Sequence, residues 1–100
     1  MNSELLKIIE HYGVLPQLKY LQSEVFELNE AVIRHENLPA GIMQFTRNEY
    51  KEHITEEIAD VLVMVGQIKE YYGISNTELK TIATSKIKRQ LERIDNERKS

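Results

Sequence analysis

A chain of 100 residues, 41% hydrophobic and 29% charged, with a formal charge of −3, suits one soluble globular domain spanning residues 1–100 and excludes a disordered chain. The mild acidity argues against a nucleic-acid backbone as main ligand, which would need a clustered basic face, although Lys86, Lys88, Arg89, Arg93, Arg98 and Lys99 make the C-terminal region locally basic. The absence of cysteine excludes disulfides, thiolate zinc sites and cysteine nucleophiles, and suits a reducing cytoplasm.

The start, Met1-Asn2-Ser3-Glu4, lacks the basic and apolar segments of a signal peptide, so none is expected. The most apolar run, around Ile58 to Met64, is too short to span a bilayer. So short a chain buries only part of its surface, which makes a partner subunit a reasonable expectation.

Asn2 or Ser3 can cap a short helix running to about Tyr12, which Gly13 ends. Pro16 suits the first turn of a second helix, whose missing N–H costs nothing there. That helix is expected to reach about Glu36 and to bury Leu18, Leu21, Val25, Leu28 and Val32, which recur at helical spacing. Asn37 to Phe45 reads as a turn-rich connection carrying Ile42, Met43 and Phe45, which either line a pocket or anchor the loop. Thr46-Arg47-Asn48-Glu49 has the form of a capping box opening a third helix to about Tyr72, where Gly73 stops it. Ser75-Asn76-Thr77-Glu78 is a second capping box. The helix it opens is expected to bury Leu79, Ala83, Ile87, Leu91 and Ile94 before a polar tail from about Asp95. No strand-period segment occurs. The fold class is all-α, an antiparallel helical bundle of three long helices and one short N-terminal helix.

At 100° per residue, Gln17, Tyr20, Glu24, Glu27 and Ala31 form one stripe beside the apolar seam of the second helix. On the third helix, His53, Glu57, Asp60, Met64 and Gln67 form a stripe beside Ile54, Ile58, Val61, Val65 and Ile68. Both stripes lie on the same rotational side of their seams. Antiparallel packing, which a short connection favours, therefore puts them on one side of the pair. Glu24 and Glu27 lie about as far before the end of one helix as Glu57 and Asp60 lie after the start of the next. Four carboxylates are thus expected at one height. Glu56, about 100° from Glu57, is at most a supporting residue.

Such convergence is costly. At ~6 Å and an effective dielectric of ~20, each like pair repels by roughly 2 to 3 kcal/mol. Protonation, open solvation or a bound cation could relieve it. An all-oxygen set favours Mg²⁺ or Mn²⁺, whereas zinc would usually recruit His or Cys. A lone Glu-x-x-Glu is commonly a solvated face, so a non-catalytic helical interaction module with a solvated acidic face is the competing reading.

The two halves, Ser23-Glu24-Val25-Phe26-Glu27-Leu28 and Glu56-Glu57-Ile58-Ala59-Asp60-Val61-Leu62, resemble the Glu-x-x-Glu and Glu-x-x-Asp motifs of the all-α nucleoside triphosphate pyrophosphatases. That superfamily includes MazG, dimeric dUTPases, dCTP pyrophosphatases and phosphoribosyl-ATP pyrophosphohydrolase. The resemblance extends from Gln17 to Lys86 in Ser85-Lys86-Ile87-Lys88-Arg89, covers roughly residues 15–93, and is nearest to the MazG-like branch. Two departures stand out. Ser23 replaces an acid found in many MazG sequences, and no tryptophan occurs in the connection, which leaves nucleobase preference open.

The resemblance implies Mg²⁺-dependent hydrolysis of an NTP or dNTP to the monophosphate and pyrophosphate, with Mn²⁺ as an alternative ion. It implies that Glu24, Glu27, Glu57 and Asp60 hold the metal, with Glu24 or Glu27 as general base. Gln17 would contact substrate and Lys86 would neutralise phosphate charge, joined by Arg89 and Arg93, which otherwise belong to a solvated basic face. It also implies a homodimer or homotetramer. Ala59, Val63 and Gly66, a small-residue strip opposite the seam of the third helix, point to a second subunit as well. His11, His35 and His53 are assigned no role, and Tyr20 and Phe26 read as core or interface residues or as base-stacking ones.

Overall fold

The computed structural model of the chain describes residues 3–39 and 44–99, without the side chains of residues 44–46. Four helices follow in order: α1 (Ser3–Tyr12), α2 (Val14–Glu36), α3 (Gln44–Tyr71) and α4 (Asn76–Lys99), with no strand among the described residues. The all-α expectation holds. Ile42 and Met43 lie outside the described residues, as does the side chain of Phe45.

The breaks between helices follow from glycine and capping chemistry. Gly13 adopts φ +93°, which a side chain would strain. Its N–H closes α1 on the Ile9 carbonyl at 2.8 Å, and its own carbonyl accepts from the Gln17 N–H at 3.2 Å as α2 begins. At the end of α3, Gly73 has φ +66°. There the Ile74 N–H bonds the Lys69 carbonyl at 3.0 Å and the Gly73 N–H bonds the Glu70 carbonyl at 3.1 Å, the paired bonds of a Schellman cap. The Ser75 box forms as expected: the Glu78 N–H donates to Ser75 Oγ at 3.1 Å, and the Ser75 N–H donates to Glu78 Oε2 at 3.0 Å. The other expected box does not open α3, which starts two residues earlier at Gln44.

Helices α2 and α3 are antiparallel. Gln17 meets Gln67, Glu24 meets Glu57 and Asp60, and His35 meets Tyr50, so one chain runs up as the other runs down. The packed face differs from the expected one. On α2 the less exposed residues include Gln17, Leu21, Glu24, Leu28, Ala31 and His35, and on α3 they include Tyr50, Ile54, Glu57, Val61, Met64 and Ile68. Both sets alternate steps of four and three residues, the spacing of a coiled-coil seam. Leu18, Val25 and Val32 on α2, with Ile58 and Val65 on α3, stay exposed. The physical reason is geometric: one partner covers only a narrow stripe of each helix, while the apolar arc is wider. The seam turned toward the acids, and half of the apolar arc was left for something else.

α1 packs chiefly on α3. Ile9 is 1% exposed, and Leu5 lies so close to Gly66 that a Cβ there would meet Leu5 Cδ1 at 2.7 Å. Gly66 of the small-residue strip is therefore covered by this chain's own α1, while Ala59 and Val63 remain exposed.

α4 corrects the expectation of a buried fourth helix. It packs against none of the other helices, and all its described residues are exposed, Ile87 at 60% and Leu91 at 58% among them. The helix also continues through the polar residues from Asp95 to Lys99. The Cα radius of gyration, 17.6 Å, exceeds the roughly 13 Å usual for 100 residues. Only Ile9, Ala31 and Met64 are fully buried apolar residues among those described.

Candidate metal centre

The acids meet where α2 and α3 cross their midpoints. One carboxylate oxygen from each of Glu24, Glu57 and Asp60 lies within 4.8 Å of the others. Glu57 is 8% exposed, Glu24 is half-buried and Asp60 is exposed. Glu24 and Glu57 thus stand in the seam itself and not beside it, and Asp60 marks the solvent side of the group.

Two oxygens, Glu24 Oε2 and Glu57 Oε2, are buried without a hydrogen-bond partner among the described residues. Leaving a charged acceptor so disposed costs more than leaving a neutral one. The strain shows on Glu24, whose carboxyl is raised above its ordinary value of 4.5. Burial is the largest cause, followed by the charges of Asp60, Glu27 and Glu57, and by close approach to the Asp60 carboxyl that a proton would bridge. The other oxygen of Glu57, Oε1, is held by His53 Nε2 at 3.3 Å, one turn earlier on α3. Oxygen donors, two of them orphaned, fit a hard divalent cation. The cluster could hold a metal ion.

Glu27 is not part of this tight trio. It is exposed and lines an open cleft of about 270 Å³ with Glu30, Arg34, His53 and Glu57. Arg34 sits 4.0 Å from Glu30 in an exposed pair. Glu56 turns away, into a different cleft with Asn48, Lys51, Glu52 and Thr55.

Gln17 is 5% exposed, and its Nε2 donates to Gln67 Oε1 at 2.8 Å. Gln67 Nε2 in turn reaches Met64 Sδ at 3.5 Å. This buried polar chain closes the seam on the α1 side of the acids. Lys86, Arg89 and Arg93 lie on α4 and are not brought to the trio by their own chain. Tyr20 and Phe26 are exposed, so neither is a core residue of this chain.

Sequence reasoning placed His53 on the acidic stripe without giving it a role, and did not place Arg34 near the acids. The signal for His53 was its spacing of four from Glu57, which puts both on one helical face. Arg34 stands seven residues beyond Glu27 on α2 and so shares its stripe, a relation that gains meaning only once His53 faces it across the cleft.

No described helix is long and apolar enough to cross a membrane. No curated protein and no solved structure gives a match to the chain. The family model of the MazG nucleotide pyrophosphohydrolase domain matches residues 14–94, which takes in α2, α3 and most of α4. With the paired acids inside that span, the chain belongs to the MazG nucleotide pyrophosphohydrolase domain family.

Proposed function

We propose that this protein is a Mg²⁺-dependent nucleoside triphosphate pyrophosphohydrolase, cleaving an NTP or dNTP to the monophosphate and pyrophosphate. One observation carries the reading: three carboxylate oxygens within 4.8 Å of one another, with two buried carboxylate oxygens on Glu24 and Glu57 that no described residue satisfies. A solvated acidic face, the competing reading as an interaction module, would leave those oxygens in water.

Glu24, Glu57 and Asp60 would hold the cation, Mg²⁺ or Mn²⁺, and Glu27 stands at the rim of the same site. When bound, the ion neutralises phosphate charge and lowers the pKa of a water that can attack the α-phosphorus. Carboxylates committed to a cation are poor bases, which favours Glu27, exposed and outside the trio, to take the proton from that water. The closed side of the seam, with Gln17 hydrogen-bonded to Gln67, excludes water behind the acids. Gln17, 5% exposed on that closed side, backs the acids from behind. A soluble nucleotide substrate and a chain without cysteine suit a cytoplasmic enzyme.

The working form is a homodimer or homotetramer. The exposed apolar residues of α2 and α3, together with Ile82, Ile87, Leu91 and Ile94 of α4, need a second layer to bury them. Charge favours the same pairing, because α4 carries seven basic against four acidic residues while the first 75 residues carry twelve acidic against six basic. Lys86, Arg89 and Arg93 then approach a triphosphate from the α4 of a second copy.

The test is pyrophosphate release from a panel of NTPs and dNTPs, with and without Mg²⁺. Glu57→Gln and Asp60→Asn should each lower the rate roughly 100-fold or more, the equivalent of ~2.7 kcal/mol in the barrier. Undiminished release in both variants would remove these residues from the site.

A further inference from the structure

His53 and Glu57 are neighbours because they stand one turn apart on α3, but helix geometry alone does not say what the contact does. We propose that His53 is the positioning residue of the acidic site: its imidazole holds Glu57 Oε1 so that Oε2 is presented to the cation shared with Glu24 and Asp60. This deepens the metal reading above and rests on it.

Nε2 of His53 and Oε1 of Glu57 are 3.3 Å apart. Two lone pairs would repel at that distance, so this positioning role requires a hydrogen on Nε2 that faces Oε1. Nδ1 then belongs to the solvent side, consistent with a His53 side chain that is 47% exposed. Glu57, by contrast, is 10% exposed in its side chain, and its second oxygen has no partner among the described residues. The last torsion of a glutamate is broad and nearly twofold. Without the imidazole, nothing else described at the site selects which oxygen faces the cluster or holds the carboxylate plane. His53 also belongs to the cleft that contains Glu27 and Arg34, so its ring walls the route by which solvent reaches Glu57. Partners behind a ligating group commonly change metal affinity by about 10- to 100-fold when removed. A surface helix pair with no such role changes it not at all.

Mn²⁺ binding to the full chain, read by the loss of the free-ion electron paramagnetic resonance signal, separates these outcomes. His53→Ala should weaken Mn²⁺ binding by about 10- to 100-fold while the metal-free melting temperature stays essentially unchanged. His53→Gln, whose amide nitrogen can reach nearly the same point, should restore most of the affinity. Equal affinity in wild type and His53→Ala overturns the assignment and leaves the metal site standing. Failure of His53→Gln to rescue a weakened His53→Ala overturns Nε2 as the acting donor. A wild-type chain that binds no Mn²⁺, or binding that survives Glu57→Gln, overturns the metal reading itself and this proposal with it.

Discussion

Replacing Glu24 by glutamine should make the metal-free protein more stable and the metal-loaded protein less so. The trio spans no more than 4.8 Å, and at an effective dielectric of ~20 each ionised pair then costs about 3.5 kcal/mol. Glu24 takes part in two of the three pairs. Water around exposed Asp60 reduces the relief to on the order of 1 to 2 kcal/mol near neutral pH. At about 4 to 8 °C per kcal/mol for a chain of this size, Glu24→Gln should melt visibly above wild type in chelator.

Mg²⁺ at 100 times its dissociation constant should add ~2.7 kcal/mol to wild type and little to the variant, so the order reverses. The pH dependence has a definite sign. Because the folded carboxyl is raised above 4.5, the folded state holds the proton more tightly than the unfolded one. The penalty is complete above the raised value and fades as pH falls through it toward 4.5. The metal-free gap between Glu24→Gln and wild type should therefore narrow on acidification. Thermal scans at one fixed protein concentration measure all of this. If Glu24→Gln melts below wild type in chelator and Mg²⁺ raises both equally, the electrostatic account of the site is wrong.

In Gly66→Ala the new Cβ would meet Leu5 Cδ1, the free end of that side chain, at 2.7 Å. Leu5 must then shift, so the change should gain less than the ~1 kcal/mol of helix propensity. In a Leu5→Ala background the same change should be more stabilising, and a double-mutant cycle measured by denaturant unfolding reads the coupling. Ser75→Ala removes the hydroxyl that caps α4 and should cost ~1 kcal/mol of local helix stability, seen as far-UV fraying confined to α4; an unchanged spectrum would deny the cap its role. Leu91→Glu, on the exposed face of α4, should lower the oligomeric state in sedimentation, and an unchanged assembly would leave α4 out of the interface.

The helices were legible because their punctuation is local. Gly13 and Gly73 take positive φ, and Ser75 and Glu78 cap each other across three residues, so neither needs distant chain to act. The Thr46 box misled because a helix can begin upstream of a good cap when the chain before it is also helical. The heights of the two acidic pairs were legible from counting residues along rigid rods. Their depth was not: Glu24 and Glu57 looked like a stripe beside the seam and became part of it.

What the sequence determined by itself is therefore one-dimensional. It set the breaks at Gly13 and Gly73 and the cap at Ser75, the antiparallel order of α2 and α3, and the pairing of Glu24 with Glu57 and Asp60, since these depend on local chemistry, spacing and rise per residue. Tertiary structure decided the rotation of each helix about its axis. That rotation buried two carboxylate oxygens, exposed Val25, Val32 and Ile58, set His53 on Glu57 and left α4 unpacked. An apolar arc wider than one contact stripe permits several rotations of nearly equal local energy. Only the fit of whole surfaces against one another selects among them.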